Sequence, residues 1–224
     1  VKLSMPKGKI GDYAFYDINR DGLQDDGDAP IAGLGVKLYQ YKTTYVNGKL
    51  HTERSLIKTT TTSSSGYYAF DELDCNVPVN GASKDSTDPN DFAGKTIYDY
   101  QVEFEKPQDE SRYQYIPTLL NVGEDDLVDS DIGNDENDPD TYLLTPIVRL
   151  TATREGTNYV GEVNNSLDAG FTALGALGNY VWIDANHNGI QDEDEKGVNG
   201  VIVRVYYANK DGSRGKVIEE TDRK

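Results

Sequence analysis

The chain of 224 residues carries one long pattern twice. GDYAFYDINRDGLQDDGDAPIAGLGVKLY (11–39) aligns without a gap to GNYVWIDANHNGIQDEDEKGVNGVIVRVY (178–206), at an offset of 167 residues. A match that spans an aromatic stretch, an acidic loop and a following apolar strand marks a duplicated domain. The first unit is expected at 8–173 and the second from 175 onward. Residues 175–224 supply about 50 positions of that second unit, too few to bury a sandwich core alone, so they read as the N-terminal part of a truncated repeat. Between the two lies FTALGALG (171–178), short and apolar, without the Pro, Ser or charge of a flexible tether. Close stacking of adjacent units is the expectation.

Within the first unit the periodicity is that of strands. Tyr13 and Phe15, Val36 and Leu38, and Val102 and Phe104 alternate with polar neighbours, the period of a half-buried strand. Asn47-Gly48, SSSG at 63–66 and Asn121-Val122-Gly123 punctuate them as turns. No window sustains a capped helical period. The segments 74–96 and 121–141 read as long loops decorating a sandwich, and loops of that length usually bind something or move. With 36% hydrophobic residues and 16 tyrosines against one Trp and five Phe, a packed core is available. The fold class is all-β, a Greek-key or prealbumin-like β-sandwich in tandem repeat.

The acidic loop carries the chemistry. Asp17, Asn19, Asp21, Leu23, Asp25 and Asp28 occupy positions 1, 3, 5, 7, 9 and 12 of DINRDGLQDDGD, with Gly22 at position 6. Asp184, Asn186, Asn188, Ile190, Asp192 and Glu195 repeat the spacing around Gly189. A hard cation that takes about six to eight oxygens collects them from a tightly wound segment, with side chains at alternate positions, a backbone carbonyl at position 7 and glycine at the sharp turn. Left without a cation, carboxylates about 5–6 Å apart repel by about 3 kcal/mol per pair at an effective dielectric near 20. The donor set suits Ca²⁺. Magnesium prefers a smaller octahedron and keeps its water, and zinc would want Cys or His. The loop is not part of an EF-hand, because APIAGLGVKLY places Pro30, Gly33 and Gly35 where a second helix would begin.

A net charge of −17 repels phosphate backbones and anionic lipid surfaces, which argues against nucleic-acid partners. No run approaches the roughly 18–20 apolar residues of a membrane span, and Val1–Gly11 lacks the apolar core of a signal peptide. The single cysteine, Cys75, allows no intrachain disulfide and reads as a bystander in the 74–96 loop. His51 and His187 read as surface residues. Neither a phosphate cradle, nor a nucleophile elbow, nor a Cys–His pairing is visible, so no enzyme is expected. Low Met and Cys with many Thr, Asn, Asp and Tyr fit an extracellular β protein.

GDYAFYDINRDGLQDDGD and GNYVWIDANHNGIQDEDE resemble the opening of the B repeats of the serine-aspartate-repeat surface adhesins of Gram-positive bacteria, the SdrD B-like family related to Cna B-type domains. TTTTSSSGYYAFDEL (59–73), DSDIGND (129–135) and LDAGF (167–171) continue the resemblance in the family's order. It implies a calcium-binding sandwich repeated as a stalk, outside the cell and anchored to the cell wall through a region beyond this stretch. The expected partners are neighbouring repeats, with a host protein or glycan reached through the loops 74–96 and 121–141 as the alternative. DSD further implies Asp129 and Asp131 as a weaker calcium site, joined by Asp135, Asp138 or Asp168; a solvated acidic loop explains the tract equally well. Related Cna B-type domains often carry a Lys–Asn isopeptide bond promoted by a buried Glu or Asp, for which Lys9 or Lys37, Asn164 or Asn165, and Glu103 are the available residues, in no clear motif.

Overall fold

The structure, a computed structural model, describes residues 5–108, 114–133, 143–175, 180–209 and 212–221. Two compact units, Val1–Gly175 and Ala176–Lys224, make up the chain. In the first, the strands are β1 (Lys7–Tyr16), β2 (Ala29–Pro30), β3 (Gly35–Val46), β4 (Lys49–Thr61), β5 (Tyr67–Asp74), β6 (Ile97–Phe104), β7 (Gln114–Pro117), β8 (Ala152–Glu155), β9 (Asn158–Gly161), β10 (Val163–Asn164) and β11 (Ala169–Leu174). In the second, β12 (Val203–Ala208) and β13 (Arg214–Thr221) pair antiparallel. Among the described residues the helical elements are two 3₁₀ turns, Pro89–Asp91 and Ala93–Lys95.

The first unit is a β-sandwich. One sheet runs β10-β1-β11-β7, with β2 and β5 also paired to β1; the facing sheet runs β4-β3-β6, and β8 and β9 form a separate antiparallel pair. β1 is long enough to serve two sets of neighbours. Its first half lies antiparallel to β5 and parallel to β10, and its end, Ala14–Tyr16, lies parallel to β11 and antiparallel to β2. The parallel β1–β11 pair brings the last strand of the unit beside the first. Ile10, Ala14, Tyr68, Phe70 and Phe171 from one sheet meet Val36, Leu38, Tyr100, Val102 and Phe104 from the other in a single core. Each of the larger aliphatic and Phe side chains among these contributes about 1.5–3 kcal/mol by leaving water, which gives this unit an independent basis for folding.

The second unit lacks that basis. Ile202, Val203 and Val217 are exposed, and none of its described residues is a buried hydrophobic. Residues 176–179, on which the expectation of close stacking partly rests, lie outside the described residues.

Three details differ from the sequence reading. Over the first part of β1 the phase is inverted: Ile10, Asp12 and Ala14 are buried, while Tyr13 meets Tyr67 edge-on at 5.5 Å. Phe15 is buried as expected, close against Gly170 of β11. The segment 74–96 is no pendant loop. Cys75, Asn76 and Val77 are buried, and Cys75 belongs to the core rather than standing by. Asn76 stitches three chain segments together, its amide donating to Tyr98 O (2.7 Å) and Leu150 O (2.9 Å) while its Oδ1 accepts from Tyr98 N (2.9 Å). Further on, the Arg149 guanidinium grips Asp99 of β6 through two hydrogen bonds (2.6 and 2.9 Å), donates to the Lys84 and Ser86 carbonyls, and lies over the Phe92 ring.

Candidate metal centres

The first acidic loop grows out of the end of β1, and each loop is closed by a short antiparallel bridge. In the first unit Tyr16 and Phe15 pair with Ala29 and Pro30; in the second, Ile183 N donates to Lys196 O and Trp182 bridges to Gly197, the same positions 167 residues on. Between these roots the chain winds so tightly that backbone N–H groups point inward. Asp17 Oδ2 accepts from Gly22 N (2.8 Å), Asn19 Oδ1 from Asp21 N (3.0 Å), and Asp21 Oδ1 from Leu23 N (2.9 Å). Asp28 closes the turn, taking Ile18 N on Oδ1 (2.9 Å) and Asp25 N on Oδ2 (3.2 Å). Gly22 sits at φ +86, the left-handed region where a side chain would be strained.

The second loop repeats these bonds position for position. Asp184 Oδ2 accepts from Gly189 N (2.8 Å), Asn186 Oδ1 from Asn188 N (3.0 Å), Asn188 Oδ1 from Ile190 N (2.6 Å), and Glu195 takes Ala185 N (2.8 Å) and Asp192 N (3.3 Å). Gly189 is at φ +76. Position 4 is also left-handed in both, Arg20 at φ 64 and His187 at φ 62.

At the centre of each loop an amide nitrogen holds the acidic oxygens. Asn19 Nδ2 donates to Asp21 Oδ2 (2.8 Å) and Asp25 Oδ2 (3.1 Å); in the second loop Asn186 and Asn188 both donate to Asp192 Oδ2 (2.7 and 2.9 Å). Positions 3, 5 and 9 are thus gathered within hydrogen-bond reach of one another. Every donor is an oxygen of the hard type that Ca²⁺ prefers. Among the described residues, however, no three His, Cys, Asp or Glu side chains are drawn together closely enough to hold a metal.

The first loop is also docked against the body of its unit. The Thr118 hydroxyl donates to Asp17 Oδ2, Leu23 bridges to Asp129, and Gln24 N donates to Val128 O (2.7 Å). This brings the main loop beside the DSD tract. Asp131 Oδ2 accepts from Asp168 N (2.7 Å), and Asp168 Oδ1 from Tyr13 N (2.9 Å). Asp168, fully buried, has no hydrogen-bond partner on Oδ2, and Asp129 none on Oδ1.

Burial pushes Asp168 up to about 9, with repulsion from Asp12 and Asp131 adding to it. The same desolvation lifts Asp131 to about 7 and Asp12 to about 6, the latter opposed by Lys9, and raises Asp129. Tyr68, whose hydroxyl donates to Leu167 O (2.7 Å), is raised well above 10 by its burial and by these carboxylates. Asp12 is the member that sequence reasoning missed. Its place between Ile10 and Ala14 on one face of β1 was the available signal.

Asp135 and Asp138 lie outside the described residues. His51 and His187 are exposed. Of the lysines considered for an isopeptide bond, Lys37 pairs with Glu103 (3.0 Å) and Glu105 (3.5 Å), and Lys9 lies over the Tyr67 ring (5.1 Å). Asn164 Oδ1 accepts from Ser166 N (3.0 Å), and Asn165 is exposed.

The SdrD B-like domain model matches residues 8–78 and 175–222, so both copies of the acidic loop fall inside it. The chain belongs to the SdrD B-like family. It is 34% identical over 218 residues to serine-aspartate repeat-containing protein F of Staphylococcus epidermidis and 33% identical over 218 residues to serine-aspartate repeat-containing protein D of Staphylococcus aureus strain Newman. Each alignment covers 96% of this chain but only 9% and 12% of those proteins, so the chain spans about a tenth of the length of the curated relatives it matches. For an SdrD B-like domain, the carboxylate cluster behind the loop adds a buried layer that the loop motif alone does not reveal. No described helix is long and apolar enough to cross a membrane.

Proposed function

We propose that this chain is a calcium-stiffened spacer of a bacterial cell-surface adhesin-like protein, one full SdrD B-like repeat followed by the start of another. The observation that carries the reading is Asp168, fully buried, with one carboxylate oxygen unpartnered and Asp12 and Asp131 close enough to raise its pKa. A buried carboxylate is tolerated at neutral pH only if it is protonated or meets a cation. The loop beside it offers further oxygens at calcium spacing.

Asp17, Asn19, Asp21, Asp25, Asp28 and the Leu23 carbonyl would hold one ion. Asp184, Asn186, Asn188, Asp192, Glu195 and the Ile190 carbonyl would hold its counterpart in the second copy. A further ion would rest on Asp129, Asp131 and Asp168, with Asp12. Calcium here supplies only charge balance and cross-linking of segments; no reaction is involved. The alternative, an adhesive module acting through 74–96 and 121–141, is weakened at the first of these, because Asn76 and Arg149 tie 74–96 to the sandwich, while residues 134–141 of the second lie outside the described residues. Family membership supports a location at the cell surface and neighbouring repeats as partners, and the charge of −17 suits a calcium-rich exterior.

Thermal melting of the chain in calcium and in EGTA tests the reading. Calcium at 100 times its Kd is expected to stabilise the first unit by about 2.7 kcal/mol for each site filled only in the folded state. Identical melting in both buffers would refute it.

A further inference from the structure

We infer that Arg20 is a latch that ties the state of the first acidic loop to the strand leaving the first unit. β1 and β11 run parallel with Tyr16 opposite Phe171, and Asp17 N donates to Phe171 O at 2.8 Å. On that edge of β11 the next carbonyl is two residues on, at Ala173, because successive groups of a strand alternate sides. Had β1 continued, its backbone would have supplied the donor. Instead the chain turns into the loop after Tyr16, and Arg20 Nη2 takes the vacant role, donating to Ala173 O at 2.5 Å.

The loop itself sets the root of this side chain. Residue 20 is held at φ 64, and its N–H donates to Asp17 Oδ1 at 2.6 Å. The carboxylate that opens the loop therefore also fixes where the guanidinium starts. The last rung of the β1–β11 ladder is a side chain, and it belongs to the loop. β11 ends at Leu174, one residue before the boundary of the unit at Gly175. Any change in loop order is passed to that end of the strand. In the second copy His187 stands at the same position, also left-handed but without a guanidinium. Arg20 is a positioning residue: it acts through Ala173 O and touches no ligand.

The inference rests on the calcium reading only for what orders the loop. Amide hydrogen exchange of the full chain, as wild type, Arg20→Ala and Arg20→Lys, each in calcium chloride and in EGTA, tests it. In calcium, Arg20→Ala is expected to speed exchange at residues 172–175 by about tenfold, the cost of losing one charged hydrogen bond. Its calcium affinity by calorimetry should fall by up to a similar factor, because the coupling is reciprocal, although position 4 offers no ligand. Arg20→Lys, which keeps a charged donor, should recover most of the protection. EGTA should speed the same amides in the wild type and add little to Arg20→Ala. Equal protection in wild type and Arg20→Ala would overturn the latch. Wild-type loop amides indifferent to calcium and EGTA would overturn the calcium reading instead, and the Arg20→Ala contrast would still decide the latch.

Discussion

The loops at 17–28 and 184–195 share their internal hydrogen bonds but not their surroundings. In the first, Asp17 is only 2% exposed, takes the Thr118 hydroxyl, and stands beside Leu23 and Gln24 as they pair with the 128–129 backbone. In the second, the hydrogen bonds made by the described loop residues stay within the loop and its two flanking segments. The shape of the loop is therefore written in its own twelve residues. What depends on that shape is decided elsewhere, by whether a sandwich is built around it.

The largest test of this contrast removes the same side chain from both places. Asp17→Ala leaves Arg20 N, Gly22 N and the Thr118 hydroxyl without their acceptor in a buried setting and should cost about 3 kcal/mol or more. Asp184→Ala, whose lost partners are exposed, should cost about 1 kcal/mol or less. Urea unfolding reads both, since Trp182, the one tryptophan, reports on the second unit while tyrosine emission is dominated by the first. Equal losses would break the comparison.

A smaller and more diagnostic effect is expected at the buried cluster, which only the first unit presents among the described residues. Asp168→Asn removes a carboxylate that burial penalises, so in EGTA the first unit should gain about 1–2 kcal/mol. In calcium the same variant should lose most of the stabilisation that the ion confers. A gain in both buffers would mean that the cluster does not take a cation.

The same cluster also sets a pH trend in EGTA. Asp12, Asp131 and Asp168 have folded pKa values raised from 3.8 to about 6, 7 and 9. A raised value means that the fold favours the protonated form, so their contribution is fully present below about pH 4 and is lost as pH climbs through those values. The urea midpoint of the first unit should fall between pH 5 and pH 9 without calcium. With calcium the fall should flatten, because the ionised form is the one that binds. A rising midpoint in EGTA would contradict the assigned burial.

How much of this was legible in the sequence follows from the range of each interaction. The loop spacing was readable because Asp17 to Gly22 and Asp21 to Leu23 are contacts within five residues, and a left-handed glycine at position 6 is a local demand. The strand periods of β3 and β6 were readable for the same reason. Asp12 was not, because a polar residue in a strand reads as solvent-facing until its neighbours Ile10 and Ala14 are recognised as the core side. Asn76 and Cys75 were hidden in a stretch whose Ser, Asp, Pro and Asn suggested a loop; the partners of Asn76 lie 22 and 74 residues away. Arg20 reaches across 153 residues to Ala173, a contact with no local trace. The acidic character of 129–131 was visible, but its burial depended on Asp168 and the whole sandwich.

The most direct measurement is isothermal titration of calcium into the full chain, beside Asp17→Ala and Asp168→Asn. Binding of more than one ion by the wild type is expected, with one site lost in Asp17→Ala and a different one lost or weakened in Asp168→Asn. A flat titration of the wild type, at a protein concentration that would reveal micromolar binding, would contradict the account.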